Sequence, residues 1–366
     1  MFHTRPVDPC IDVIRYSEPS AFNSSSDNNL LFESLARSKS VATICAQLDI
    51  SKWIPDRICA HSGWGETLGI SEIWPNVPQI LWPELWLLPQ HGGYGFDPLL
   101  PYDDLSCRLS QLARNTLTRA ALSHASAWIL PTVHQANSFP PCFQSHKLHI
   151  IHEGIDTSIA KPNPEVSFHS RGMSFSRDTP IITFVNRNLE RLRGFDTFMH
   201  SLPAILDSHP TVRVFIVGDN KAGYSGYSDA KIRVLSELGT TIDTNRIHFL
   251  GRIPYQFLIG LLQASTIHVY LSYPFVLSWS LLEAMACGCC IVGSRGFPVE
   301  EVISDGVDGC LVSIHDPSQL SAKILSLLNQ HSLRQLFSNN ARSKSLLWDK
   351  SVTLPRLANI IFNTHV

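Results

Sequence analysis

Between Arg252 and Glu283 the chain carries no Asp, Glu, Lys or Arg, and reads IPYQFLIGLLQASTIHVYLSYPFVLSWSLL. A run of that length is either a membrane span or the interior of a protein. Its residues favour the interior. Pro274 interrupts its middle, Gln263 and His268 lie within it, Ser and Thr recur through it, and no basic residue flanks its far side. It divides into a helix over Pro254–Ala264, a β-branched strand over Ile267–Tyr273 and a second helix beyond Pro274. That order suits a buried α/β core.

The same alternation recurs on either side. In a first block, apolar runs predict strands at Ile11–Tyr16, Ile58–His61, Gln79–Trp82, Trp128–Pro131 and His149–His152, with helices at Asn29–Leu48 and Asp104–Ser123. In a second block, strands are predicted at Ile181–Asn186, Arg213–Gly218, Ile247–Leu250, Ile267–Tyr273, Cys290–Ser294 and Cys310–Val312. Helices follow at Phe195–Asp207, Asp229–Leu238, Tyr255–Ala264, Ser280–Cys287 and Ser318–Gln330. Strands alternating with helices imply parallel sheets covered on both faces, with ligands at the C-terminal strand ends.

The chain's 366 residues, 44% of them hydrophobic, suffice for two such domains. The expected division is a first domain over 1–160, a polar linker over 161–180, a second domain over 181–347, and a C-terminal helix over 348–363 that returns to the first. A doubly wound domain opens on an apolar strand and a Gly-rich loop. Nothing before Cys10 supplies them, so the first domain is expected to be incomplete.

Charge narrows the function. Lys and Arg number 29 against 31 Asp and Glu, a formal net charge of −2. A nucleic-acid coat needs a basic excess to neutralise phosphates, so none is expected. The opening MFHTRPVDPCIDVIRY has no apolar signal region, which points to the cytoplasm. The nine Cys include Cys287, Cys289 and Cys290 between a helix and an apolar strand, read as packed free thiols rather than metal ligands or disulfides.

Three segments could carry chemistry. In FVNRNLERLRGFDTF (Phe184–Phe198), Arg187 and Arg193 leave a strand end before a helix. Paired guanidinium forks suit a diphosphate; a solvated charge run is the plainer alternative. In His268–Ser294, Ser280 and Glu283 have capping-box spacing. Equally, the N-terminus of that helix could hold a phosphate and Glu283 a sugar hydroxyl. The third, IVGDN (Ile216–Asn220), runs from a strand into a Gly turn and is weak alone.

Taken together, FVNRNLERLRGFDTF, VRVFIVGDN, RIHFLGRIPY, HVYLSYPFVLSWSLLEAMACGCCIVGS and PVEEVISDGVDGCLV resemble the nucleotide-sugar-binding domain of family 4 GT-B glycosyltransferases, in the family's order. HSGWGETLGISEIWP (61–75), GYGFDP (93–98) and IHEGIDT (151–157) resemble the first domain of one bacterial branch. The resemblance implies an α/β GT-B fold, two Rossmann-like domains with parallel sheets facing across a cleft.

It also implies roles. Arg187 and Arg193 would neutralise a donor diphosphate, with backbone amides of Ser280, Leu281 and Leu282 facing the same phosphates. Glu283 would hold the ribose, while Gly218, Asp219, Gly251 and Arg252 would frame the base. Phe275 stands where the family's first motif carboxylate would be, so that role has no evident occupant. His61 and Glu84 are the candidates for a polar group at the reacting centre. Among the clustered Trp53, Trp64, Trp74, Trp82 and Trp86, the better candidates to stack on an acceptor sugar are Trp64 and Trp86; core packing is the alternative.

The expectation is therefore a retaining hexosyltransferase. It would use a nucleoside-diphosphate sugar, a glycan or lipid-linked acceptor, and no metal or other cofactor, in cell-surface polysaccharide or glycoconjugate synthesis. Peripheral contact with the inner membrane face is compatible with it. An inactive nucleotide-sugar-binding relative and a GT-B sugar-nucleotide epimerase are the alternatives. A nicotinamide dehydrogenase is disfavoured, because no G-x-G-x-x-G follows a strand.

Overall fold

The computed structural model describes residues 10–16, 28–88, 96, 105–170, 172–176, 178–221 and 229–365. They fall into two compact units, the first formed by Met1–Pro83, Asp104–Ile129 and Ile361–Val366, the second by Glu84–Asp103 and Leu130–Ile360. In the first lie α1 (Asn28–Ile50), β1 (Ile58–His61), α2 (Ile70–Ile73), β2 (Gln79–Trp82), α3 (Leu105–Leu122) and most of β3 (Ala127–Leu130). Strand β2 pairs parallel with β1 and with β3, Ile58 opposite Gln79 and Ile80 opposite Ala127. Its Ile80 and Leu81 are fully buried.

Two expectations for the first half are corrected. Ile11–Tyr16 forms no strand. Its Ile11, Val13 and Ile14 stay more than half exposed, so this short apolar run gains no burial that would repay ordering it as a strand. The supposed linker 161–180 is structured: after α4 (Val133–Ser138) and β4 (Leu148–Ile150), β5 (Phe168–Ser170) and β6 (Met173–Phe175) pair antiparallel. Phe168 and Phe175 set their rings edge-on against Phe215, at 5.4 and 5.1 Å.

The second unit is built on a six-stranded parallel sheet. Along the chain follow β7 (Ile181–Asn188), α5 (Phe195–Ser208), β8 (Arg213–Asp219), α6 (Ala230–Leu238), β9 (Ile247–Gly251), α7 (Tyr255–Ala264), β10 (Ile267–Tyr270), α8 (Trp279–Ala286), β11 (Cys290–Ser294), α9 (Val299–Val302), β12 (Cys310–Val312), α10 (Pro317–Asn329), α11 (His331–Ser345) and α12 (Lys350–Asn363). The strand order is β12-β11-β10-β7-β8-β9. The order reverses between β7 and β10, the switch at which open α/β sheets leave a ligand crevice.

Apolar side chains cover both faces. One layer packs Phe184, Phe198, Leu202 and Val214 with Ile324; the other packs Phe215, Tyr270, Leu281 and Met285 with Ala341. The charge-free run is the centre of this unit, divided into α7, β10 and α8. No helix among the described residues is long and apolar enough to cross a membrane. Cys287, Cys289 and Cys290 are fully buried. Gly288, at φ 80°, closes α8 in a Schellman turn, its N–H on the Met285 carbonyl and that of Cys289 on Ala284.

The C-terminal helix is tied to the segment after β4. Asp349 accepts from the Thr157 N–H at 3.0 Å, and the Thr353 hydroxyl donates to the Glu153 carbonyl at 3.3 Å. Strand β4 is the last in the order β1-β2-β3-β4 of the four-stranded sheet.

Inside the sheet, His268 on β10 is fully buried and its Nδ1 shares a 2.9 Å hydrogen bond with Thr183 Oγ1. Burial holds its pKa down at about 3. An unfolded His takes up its proton near pH 6.5. Between those values the unfolded chain binds the extra proton, so stability must fall as pH falls, by roughly 1.4 kcal/mol per pH unit. Urea titrations of wild type and His268→Gln from pH 7 to 4 should show a shallower slope in the variant.

Candidate functional site

The C-terminal end of β7 runs into a 3₁₀ turn at Arg191–Arg193 and then into α5 through Gly194. Gly194 has φ 69°, and a Cβ there would lie 2.3 Å from Leu271 Cβ. The turn therefore rests directly on the end of β10. A Gly194→Ala variant should lose about 2–4 kcal/mol from left-handed strain and overpacking together, measured by urea denaturation.

Arg187, near the end of β7, and the two arginines of this turn take separate directions. Arg191 pairs with Asp196 at 3.5 Å, which also receives Arg233 at 2.7 Å; this is an ion cluster beside α5. Arg193 turns the other way. Its Nη1 donates to Ser272 Oγ at 3.0 Å, and its guanidinium lies 5.3 Å from the centre of the Phe275 ring. Arg187 is exposed and makes no hydrogen bond or ion pair among the described residues. Phe275, at the position where a carboxylate was expected, thus presents a ring face to the guanidinium, a contact worth about 0.5–1 kcal/mol when exposed.

Ser272 is held from its other side. Its N–H donates to Ser294 Oγ, and that hydroxyl donates back to the Ser272 carbonyl, both at 3.0 Å. The ends of β10 and β11 are locked together there. The turn then climbs to Ser278, whose N–H donates to the Tyr270 hydroxyl at 2.9 Å. Ser278 is the N-cap of α8, its Oγ accepting from the Ser280 N–H at 3.3 Å.

This removes the capping-box reading. The cap lies two residues before Ser280, so Glu283 falls too deep in the helix to reach back to it. Glu283 is instead buried, and its carboxylate receives a hydrogen bond from the Tyr255 hydroxyl at the start of α7. Burial pushes the Glu283 pKa up, opposed by that bond; burial and the carboxylate push the Tyr255 hydroxyl up. Leu281 and Leu282 bury their side chains completely. Their contribution to any ligand is limited to backbone, and the Leu281 N–H already reaches the Ser278 carbonyl at 3.2 Å.

At the neighbouring strand ends, the register puts Val217 opposite Gly251, which brings Gly218, Asp219, Gly251 and Arg252 together. Asp219 pairs with Arg252 Nε at 3.4 Å and with Lys221 at 3.5 Å. A Cβ on Gly218 would meet the Asn186 carbonyl at 2.8 Å, so β7 and β8 can close only over a glycine.

The remaining candidates lie apart. His61 and Trp64 sit in the first unit, their rings 6.4 Å apart, with His61 Nδ1 accepting from the Gly63 N–H at 3.2 Å. Glu84 is an exposed residue of the second unit with φ 58°, its carbonyl accepting from Gln135 Nε2 at 2.7 Å. Trp86 is corrected to a core residue: it is buried against Phe139 and Phe143, at 5.9 and 5.6 Å. Of the two stacking candidates, Trp64 alone is exposed. Of the GYGFDP stretch only Phe96 is described, packed 4.7 Å from Tyr273; the rest lies outside the described residues. Ser272, Ser278 and Tyr255 were missed, because hydroxyls inside an apolar run give no signal until the turns place them.

A cationic fork at one strand end, a capped helix N-terminus at the next and a buried carboxylate on that helix come together at the C-terminal edge of the sheet. The fold is an α/β fold of the GT-B class. Sucrose-phosphate synthase of Thermosynechococcus elongatus aligns at TM-score 0.71 and 16% identity, covering 95% of this chain and 83% of that one. Anabaena HepE, in complex with UDP and glucose, aligns at 0.69 and 18%, covering 89% and 81%.

Residues 3–160 match the Glycosyl transferase family 4 group and residues 168–344 the Glycosyl transferases group 1. The chain belongs to the family 4, group 1 glycosyltransferases. An uncharacterized glycosyltransferase of Methanocaldococcus jannaschii is 33% identical over 131 residues, 35% of this chain and 33% of that protein. D-inositol 3-phosphate glycosyltransferase of Corynebacterium jeikeium is 31% identical over 159 residues, 43% and 37% respectively. The matched stretches thus span about a third of these relatives' length.

The cap makes a direct prediction. Ser278→Ala should cost about 1 kcal/mol of stability, read as a lower urea midpoint with unchanged m-value, whereas Ser280→Ala, which leaves the cap in place, should cost less.

Proposed function

We propose that this chain transfers a glycosyl group from a nucleoside-diphosphate sugar to a hydroxyl-bearing acceptor. The observation that carries the reading is Arg193, fixed by Ser272 and Phe275 beside the N-terminus of α8, with Glu283 buried on the same helix. The diphosphate would lie between Arg187, Arg193 and the first turn of α8 at Ser280–Leu282. As the bond from the sugar to the diphosphate breaks, negative charge grows on the leaving oxygen. Fixed cations and amides stabilise that charge without reorganising. This protein charge does what a divalent cation does elsewhere, so the chemistry needs no metal.

Glu283 would accept hydrogen bonds from the ribose hydroxyls, taking over from the Tyr255 hydroxyl or sharing with it. Gly218, Asp219, Gly251 and Arg252 would frame the base. The two Anabaena HepE complexes with UDP and with UDP-glucose make uridine the first nucleotide to try. Retention of configuration, a glycan or lipid-linked acceptor, a role in cell-surface polysaccharide or glycoconjugate synthesis and a cytoplasmic location follow the family resemblance. The inositol phosphate acted on by named relatives widens the acceptor class to cyclitols. His61 or Glu84 would supply the polar group near the reacting carbon.

Calorimetry with UDP, GDP, ADP and NAD tests the reading. A nucleoside diphosphate should bind; binding of NAD alone would sink the proposal. Arg193→Ala and Glu283→Ala should each weaken that nucleotide by about 1–3 kcal/mol, with unchanged affinity in both returning these residues to a structural role. Phe275, in place of a carboxylate, favours a second reading as an inactive nucleotide-sugar binder. Release of UDP from UDP-glucose separates the two, and the anomeric proton signal of any product reports retention or inversion.

A further inference from the structure

Among the described residues, three that are not glycine have a left-handed φ: Lys52, Glu84 and Asp229. Lys52 lies just past the end of α1 and Asp229 just before α6, whereas Glu84 stands two residues past the end of β2. Glu84 is exposed, while the next residues, Leu85 and Trp86, are buried. A strained residue of this kind persists only when its surroundings over-determine it, and here the determining contacts come from α4. Gln135 Nε2 donates to the Glu84 carbonyl at 2.7 Å, and Ser138 Oγ accepts from the Trp86 N–H at 3.0 Å. Gln135 is 1% exposed. Its amide is oriented by Thr132, whose hydroxyl donates to Gln135 Oε1 at 2.9 Å.

Helix α4 is held in turn from α9. Both carboxylate oxygens of Glu301 accept from its first turn, Oε2 from the Val133 N–H at 2.9 Å and Oε1 from the His134 N–H at 2.5 Å. The Phe297 ring, just before α9, stacks on that of His134, with centres 6.3 Å apart and planes within 8°. These residues all lie within the second unit, and a continuous chain of bonds runs through them from α9 to the backbone of Glu84. The adjacent Glu300 has a different partner, accepting from the Gly296 N–H at 2.9 Å.

We propose that Glu84, rather than His61, is the polar group that meets the transferred sugar, and that Gln135 and Glu301 are positioning residues that hold it there. The Glu301 carboxylate is favoured at the N-terminal turn of α4 by the helix amides, and it fixes the helix that fixes Glu84. Loss of either contact frees the Glu84 backbone to leave its left-handed conformation, which moves the carboxylate away from the sugar.

The assignment rests on the nucleotide-sugar reading, and calorimetry of the full chain with UDP and UDP-glucose tests the two separately. The ratio of the two dissociation constants isolates what the sugar contributes, and UDP alone controls for folding. Glu84→Gln and Glu301→Gln should each weaken UDP-glucose at least fivefold and leave UDP within twofold. Gln135→Met, close in size but without the donor, should do the same. Because all three act through one contact, the double variant of Glu84→Gln and Glu301→Gln should bind UDP-glucose no more weakly than Glu84→Gln alone. Glu300→Gln should leave both ligands unchanged. A purely structural role for Glu301 or Gln135 would weaken UDP and UDP-glucose alike. That result, additive losses in the double variant, or unchanged UDP-glucose affinity in any of the three single variants would overturn the assignment while leaving the nucleotide-sugar reading intact. Wild type that binds neither ligand would sink that reading, and the assignment with it.

Discussion

Burial of the six-stranded sheet on both faces is the constraint from which the second unit follows. A parallel strand covered by helices on each side has no surface on which to carry a charge. The sequence obeys this in β10 and β11, and charge appears only where strands end. The consequence is functional. Arg187 near the end of β7, Arg193 after it, Asp219 at the end of β8 and Arg252 after β9 all occupy the C-terminal edge, because the buried strand interiors could not hold them. Inside the sheet, the buried Thr183 hydroxyl bridges His268 and Ser265.

The site inherits its rigidity from that edge. The reciprocal bonds of Ser272 and Ser294 join β10 to β11 at the point where the chain turns toward α8. Arg193 binds Ser272 from the β7 side, so three adjacent strand ends are fixed relative to one another before any ligand arrives. Preorganised charge of this kind acts on a developing anion at no further cost in ordering. Glu283 is poised differently. It is buried one helical turn inside α8, its pKa pushed up by desolvation, with the Tyr255 hydroxyl as its present partner. A carboxylate so placed gains from any hydroxyl that reaches it.

Phe275 changes the character of this edge. Its ring supports Arg193 by a face contact, which neutralises none of the guanidinium's charge. A carboxylate at the same position would pair with the arginine and neutralise it.

How much of this was legible in the residues varies with the kind of signal. The strands of the second unit lie within a few residues of their predicted ends, because uninterrupted β-branched runs have one good use in an α/β chain. Arg187, Arg193 and Glu283 were legible as candidates because charges beside apolar runs mark strand ends and helix starts. Ile11–Tyr16 has the same apolar look but no strand pairs with it, and Phe168 and Phe175 lay hidden in a stretch rich in Pro and Ser. Ser280 and Glu283 had the spacing of a cap, yet the cap is Ser278, since the start of a helix depends on the turn before it. Trp64 and Trp86 are alike in sequence and opposite in exposure. The sequence by itself determined where charge is forbidden, hence the layers of the sheet and the edge that carries the site, because desolvating an ion costs more than any local preference can return. Only the tertiary structure decided which hydroxyls meet which partners and which arginine faces the site, because those depend on distances between segments far apart in the chain.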